Sequence, residues 1–117
     1  VGGTFGAFGV PTLTTSGLFT GGSAVNINLS KAPANAPTLL WISTQSEPLP
    51  ILGGTLHANP FAFQLLLVAD GAGEISLQGP WPQGIPPGSQ FWFQFLVEDL
   101  TVPEGITLSD AVRITTP

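Results

Sequence analysis

A chain of 117 residues in which 43 % of the side chains are hydrophobic and only 8 % charged is long enough to bury one core but has few ionic groups for its surface, since ordinary soluble domains carry about 25 % charged residues. Two basic residues, Lys31 and Arg113, against seven acidic ones, with a net charge of -5, exclude a phosphate-tracking groove and make nucleic acid an unexpected partner. With no cysteine and one histidine, disulfides and thiolate or multi-histidine metal sites are excluded, and no apolar run approaches the ~20 residues a membrane span requires.

The chain contains no methionine and starts at Val1, so the expectation is a leader removed by processing and a secreted protein. Residues 1–22, VGGTFGAFGVPTLTTSGLFTGG, are glycine-rich and carry Phe5, Phe8, Val10 and Leu13 without strict alternation. They form either an edge strand followed by a turn or an extended arm that adds to the open sheet edge of another copy. The sandwich domain proper is expected over residues 23–117.

Residues 23–29, SAVNINL, alternate as a half-exposed strand, with Val25, Ile27 and Leu29 inward. Asn28 opens an N-x-[ST] triplet with Leu29 and Ser30, a candidate glycosylation site. SKAPANAP is a turn, because its prolines remove donors and Asn35 tolerates left-handed geometry. TLLWIST, residues 38–44, is expected to be a strand buried on both faces, with Trp41 in the core. EPLPILGG breaks the sheet at Pro48, Pro50, Gly53 and Gly54 before a short strand over 55–58.

FAFQLLLVA, residues 61–69, alternates Phe61, Phe63, Leu65 and Leu67 against the other face and reads as a second central strand, turning at Asp70 to Gly73 into a strand over 74–78. The proline-rich loop GPWPQGIPPG carries Trp81, either a plug for the core or an exposed contact. QFWFQFLV, residues 90–97, is the clearest core strand, with Phe91, Phe93, Phe95 and Val97 on one face and Gln90, Trp92, Gln94 and Leu96 on the other. The mixed face is expected to meet water or another protein. An acidic loop with Glu98, Asp99 and Glu104 precedes ITLSDAVRIT, the last strand or strand pair. No segment has a helical period. Seven or eight short strands between Gly and Pro turns predict an all-β, Ig-like antiparallel sandwich.

No constellation of chemistry stands out. His57 with Asp70 or Asp110 and a serine lacks a nucleophile elbow, and Asp70 with Glu74 falls short of the oxygen ligands that calcium takes. The expectation is a protein that is not an enzyme and has no cofactor. Five pieces in order, SKAPANAPTLLWIS, LPILGGTL, VADGAGEISLQGPWP, GSQFWFQFLVED and GITLSDAVRIT, resemble the β-sandwich module at the C-terminal end of many secreted planctomycete and myxobacterial proteins of unknown function. Family members often carry a cysteine near the position of Thr55 and usually follow a larger domain. The resemblance implies an extracellular setting and carries over no catalytic residue.

Two functions fit these surfaces. One is a structural subunit that self-assembles, as a homo-oligomer or filament, layer or coat, with Phe5, Phe8, Val10 and Leu13 as candidate contacts by strand donation. The other is a secreted module for glycans using Trp81 and Trp92.

Overall fold

The computed structural model describes residues 11–51, 54–58, 62–101 and 105–117, and these form an all-β sandwich. Phe5, Phe8 and Val10 lie outside the described residues, as do Phe61, Gly53 and Glu104. The strands are β1 (Thr12–Gly17), β2 (Ala24–Ser30), β3 (Pro37–Ser43), β4 (Leu49–Ile51), β5 (Gly54–Leu56), β6 (Phe63–Val68), β7 (Ile75–Pro80), β8 (Gln90–Glu98), β9 (Ile106–Leu108) and β10 (Val112–Thr115). One sheet has the order β1-β2-β7 and the other β10-β8-β3-β6, with β9 also on β8, and β4 pairs with β5 in a separate hairpin. All pairings are antiparallel. The chain changes sheet between β2 and β3, between β6 and β7 and again between β7 and β8, the Greek-key habit of Ig-like sandwiches. The ten strands among the described residues exceed the seven or eight expected because β4 and β5 form their own hairpin and the last segment splits in two.

The alternation read in the sequence sets the core. Leu13, Val25, Ile27, Leu29 and Ile75 of the first sheet face Leu40, Phe93, Phe95, Val97 and Ile114 of the second, all buried. Burying such a side chain contributes ~1.5–3 kcal/mol. One end of the sandwich is closed by Ala32, Ala36 and Ala69. There Gly73, at φ 73°, lies so close to the Ala32 carbonyl that a Cβ would sit 1.9 Å from its oxygen. Asp70 holds this turn by accepting from the backbone N–H groups of Ala72 and Glu74, each at 2.9 Å. At the other end Phe19 packs edge-on against Trp81 with ring centroids 5.0 Å apart, and Trp81 meets Phe91 in the same manner at 5.3 Å. Phe19 adopts φ 54°, an uncommon backbone for a bulky residue, and its burial at 8 % exposure offsets the strain.

Two placements differ from the sequence-based expectation. Trp41 is half-buried on the outer face of the second sheet, where its Nε1–H donates to Gln64 Oε1 at 2.8 Å. Strand β6 is an outer strand and not a central one, pairing with β3 alone among the described residues.

Candidate functional site

Strand β6 is where the fold and its solvent meet on unusual terms. Its register opposite β3 places Phe63, Leu65 and Leu67 across from Ile42, Leu40 and Thr38 on the inner face, and Leu66 and Val68 on the outer face. Phe63 is 63 % exposed, Leu66 73 % and Val68 63 %. Of the eight large apolar residues exposed among the described residues, four lie on this strand, Leu65 being the fourth. The other outer strands differ in chemistry: β1 shows hydroxyls, β7 shows Ser76, Gln78 and Pro80, and β10 carries Arg113. Strand β6 has no charge, no proline and no bulge to keep another backbone away.

Next to β6 the sandwich stands open. The three-stranded sheet ends at β7 and the other at β6, and no described strand closes the gap between them. The opening forms a groove of about 500 Å³ whose lining residues, Ile42, Phe63, Leu65, Trp81, Pro82, Ile85 and Phe91, are all apolar. It runs on into a shallower trough of about 320 Å³ that reaches Val25, Leu77 and Phe93. The groove lies at the Trp81 end of the molecule, because Ile42 pairs with Phe63 and Phe93 there.

The residues singled out in the sequence are distributed as follows. Leu13 is 2 % exposed and belongs to its own core, paired with Leu29. Its backbone N–H donates to Asp110 Oδ1 at 2.7 Å, and the Asp110 N–H donates to the Pro11 carbonyl at 3.2 Å. These bonds tie the start of β1 to the break between β9 and β10, so Leu13 anchors the domain and is not a contact held out to another copy. Trp81 is 8 % exposed, hence the core plug and not a platform; its Nε1–H is buried with no hydrogen-bond partner among the described residues. Trp92 is half-buried on the outer face, in register with Arg113. Asn28 lies half-exposed on the outer face of β2, between Thr14 and Ser76.

His57, Asp70 and Asp110 serve separate parts of the frame: the turn after β6 for Asp70, the β1 anchor for Asp110, and for His57 a backbone bond to Gln94. No group of three or more His, Cys, Asp or Glu side chains able to hold a metal ion occurs among the described residues. No helix among them is long and apolar enough to cross a membrane.

Gln94 is the structurally important residue that sequence reasoning misplaced. The strand pattern puts it on the face expected to meet water or another protein, yet it is fully buried, because residues 55–58 at the end of the β4–β5 hairpin lie over the outer face of β8. Its Oε1 accepts from the N–H groups of His57 (2.7 Å) and Ala58 (3.3 Å), and its Nε2 donates to the carbonyls of Thr55 (3.0 Å) and Ser109 (2.9 Å). An uncharged amide in the centre of the strongest strand was the available signal. The hairpin thus held over the outer face buries Leu56, Ala58 and Leu108 and leaves Leu66 beyond its cover.

No protein-family model matches the chain, and no curated protein or solved structure matches it either.

Proposed function

We propose that the chain is a non-catalytic structural subunit that assembles with copies of itself into an extracellular filament, layer or surface coat. The observation that carries this reading is β6, an uncharged outer strand with large apolar side chains exposed on both faces beside an apolar groove. From their exposures, Phe63, Leu65, Leu66 and Val68 present about 400 Å² of apolar surface, in the range where a monomer's largest patch is often functional. Covering it contributes about 10 kcal/mol before the association entropy of ~4–15 kcal/mol is subtracted. The backbone edge of β6 that no described strand pairs with supplies direction, since an added strand hydrogen-bonds only in register. The extracellular setting rests on the resemblance to secreted modules. A glycan platform on Trp81 and Trp92 draws no support from a Trp81 buried in the core.

Sedimentation velocity of the full chain over a micromolar concentration series, with negative-stain microscopy, tests this reading. The expected result is a concentration-dependent shift to large, regular species, abolished by the double substitution Leu66→Lys and Val68→Lys, which leaves the far-ultraviolet circular dichroism unchanged. A monomer at every concentration would refute it.

A further inference from the structure

Resting on that reading, we infer that the groove between β6 and β7 is the acceptor for residues 1–10 of a neighbouring copy, which pair with the edge of β6 that no described strand covers, so that subunits join head to tail. Area alone argues against the simpler alternative of two β6 strands lying edge to edge. The ~400 Å² on each copy gives about 800 Å² in total, under the ~1,000 Å² that a specific interface needs, and it leaves the apolar groove open to water. An occupant that fills the groove as well as pairing with the edge removes both shortfalls.

The first ten residues, VGGTFGAFGV, have the chemistry for it. They carry no charged side chain, matching a groove lined only by apolar residues. In an extended conformation Phe8 and Val10 project to one side and Phe5 and Ala7 to the other. Strand β6 is apolar on both faces, with Phe63 and Leu65 over the groove and Leu66 and Val68 outside, so a donor with side chains for each face suits it. Gly2, Gly3, Gly6 and Gly9 allow the close backbone approach that a narrow gap demands.

Reach favours a neighbour's groove over the chain's own, because the groove lies at the end opposite the start of β1. Thr12 pairs with Ser30 at the Ala32 end of the sandwich, whereas Pro80 pairs with Ala24 at the Trp81 end, where the groove lies. Strand β1 is also the outer strand farthest from β7 in its sheet. Seven residues of strand rise and two strand spacings separate the two corners, on the order of 25 Å, while ten extended residues span only ~33 Å. An arm folding straight back to its own groove spends about three quarters of its length on the crossing and keeps roughly two or three residues for the groove. A neighbour aligned along the strand direction presents its groove at the place where the arm leaves. Such a contact joins unlike surfaces and repeats indefinitely unless its rotation closes a ring.

The absence of cysteine allows a direct test by disulfide mapping in the full chain. A variant with Phe8→Cys is mixed with one carrying Ile85→Cys, and the products under mild oxidation are read on a non-reducing gel. Docking places the two thiols at an effective concentration near a millimolar, so at about 20 µM chain the mixed dimer should exceed that from Leu18→Cys with Ile85→Cys, a solvent-exposed control, by roughly tenfold or more. A chain bearing both Phe8→Cys and Ile85→Cys should yield a ladder of covalent multimers. A covalently closed monomer from the double variant overturns the inference, because the arm then occupies its own groove. If the native chain assembles while the Phe8–Ile85 pair links no better than the control, the inference fails and the β6 reading of assembly survives. If the native chain stays monomeric and no link forms, both fail.

Discussion

Replacing Gln94 tests how the outer face of the larger sheet is held. The side chain makes four hydrogen bonds to the backbone of two other segments. Gln94→Leu keeps the bulk and removes all of them, leaving the His57 and Ala58 N–H groups and the Thr55 and Ser109 carbonyls without this partner. A buried unsatisfied backbone group costs about 1–3 kcal/mol, so even with the hairpin partly relaxing toward water the loss should be about 3–5 kcal/mol. Gln94→Glu is the sharper variant. The carboxylate still accepts from the backbone N–H groups but faces two carbonyl oxygens where Nε2 donated, and it is buried. Both effects raise the carboxyl's folded-state pKa above its unfolded value of about 4.3. The sign follows from proton binding: between the two values the folded state holds the proton that the unfolded state has released. The variant's stability relative to the parent is therefore highest below the unfolded value and falls by ~1.4 kcal/mol per pH unit up to the folded value. The parent's amide does not titrate, so the difference between the two proteins isolates this group. Urea unfolding followed by tryptophan fluorescence at about pH 4.5 and 7.5 reads it directly. A Gln94→Glu penalty below about 1 kcal/mol at the higher pH, or a difference from the parent that does not change between the two, would refute the clamp.

Other perturbations probe the rest of the frame. Trp81→Phe keeps an edge-on ring and removes an unpartnered buried N–H, so its unfolding free energy should stay within about 1 kcal/mol of the parent, against a loss of ~3–5 kcal/mol for Trp81→Ala in the same urea titration. Gly73→Ala meets the Ala32 carbonyl and a left-handed backbone together; a loss of about 3 kcal/mol or more is expected, and an unchanged midpoint would refute the close approach. Asp110→Ala removes the acceptor for the Leu13 N–H and should cost about 1–2 kcal/mol, with faster hydrogen exchange at the Leu13 amide and little change at Leu40 in the centre of β3.

Alternation alone was enough to read β2, β7, β8 and β10, with Val25, Ile27 and Leu29 or Phe93, Phe95 and Val97 facing the core, and the Asp70 to Gly73 turn was legible because its residue types suit little else. What alternation does not encode is the neighbourhood of a strand. Strand β6 is as apolar on both faces as a central strand, yet among the described residues only β3 lies beside it, and nothing local distinguishes a face covered by the same chain from one left for another. Gln94 differs for the opposite reason: its cover arrives from residues 55–58, and its amide is satisfied by backbone groups 15 to 39 positions away in the chain. Trp81 left two readings open in the sequence, and the rings of Phe19 and Phe91 on either side of it decide for the core. The candidate surface was thus visible as composition but not as a place.

The direction of the first and last strands has a mechanical consequence. Strand β1 begins beside Ser30 at one end of the sandwich, and β10 finishes beside Gln90 at the other. Tension applied through these two ends pulls along the strands, perpendicular to the hydrogen bonds of antiparallel ladders. Six residue pairs between β1 and β2 and four between β10 and β8 then share the load as shear and must slip together, where a hairpin pulled open from one end would part bond by bond.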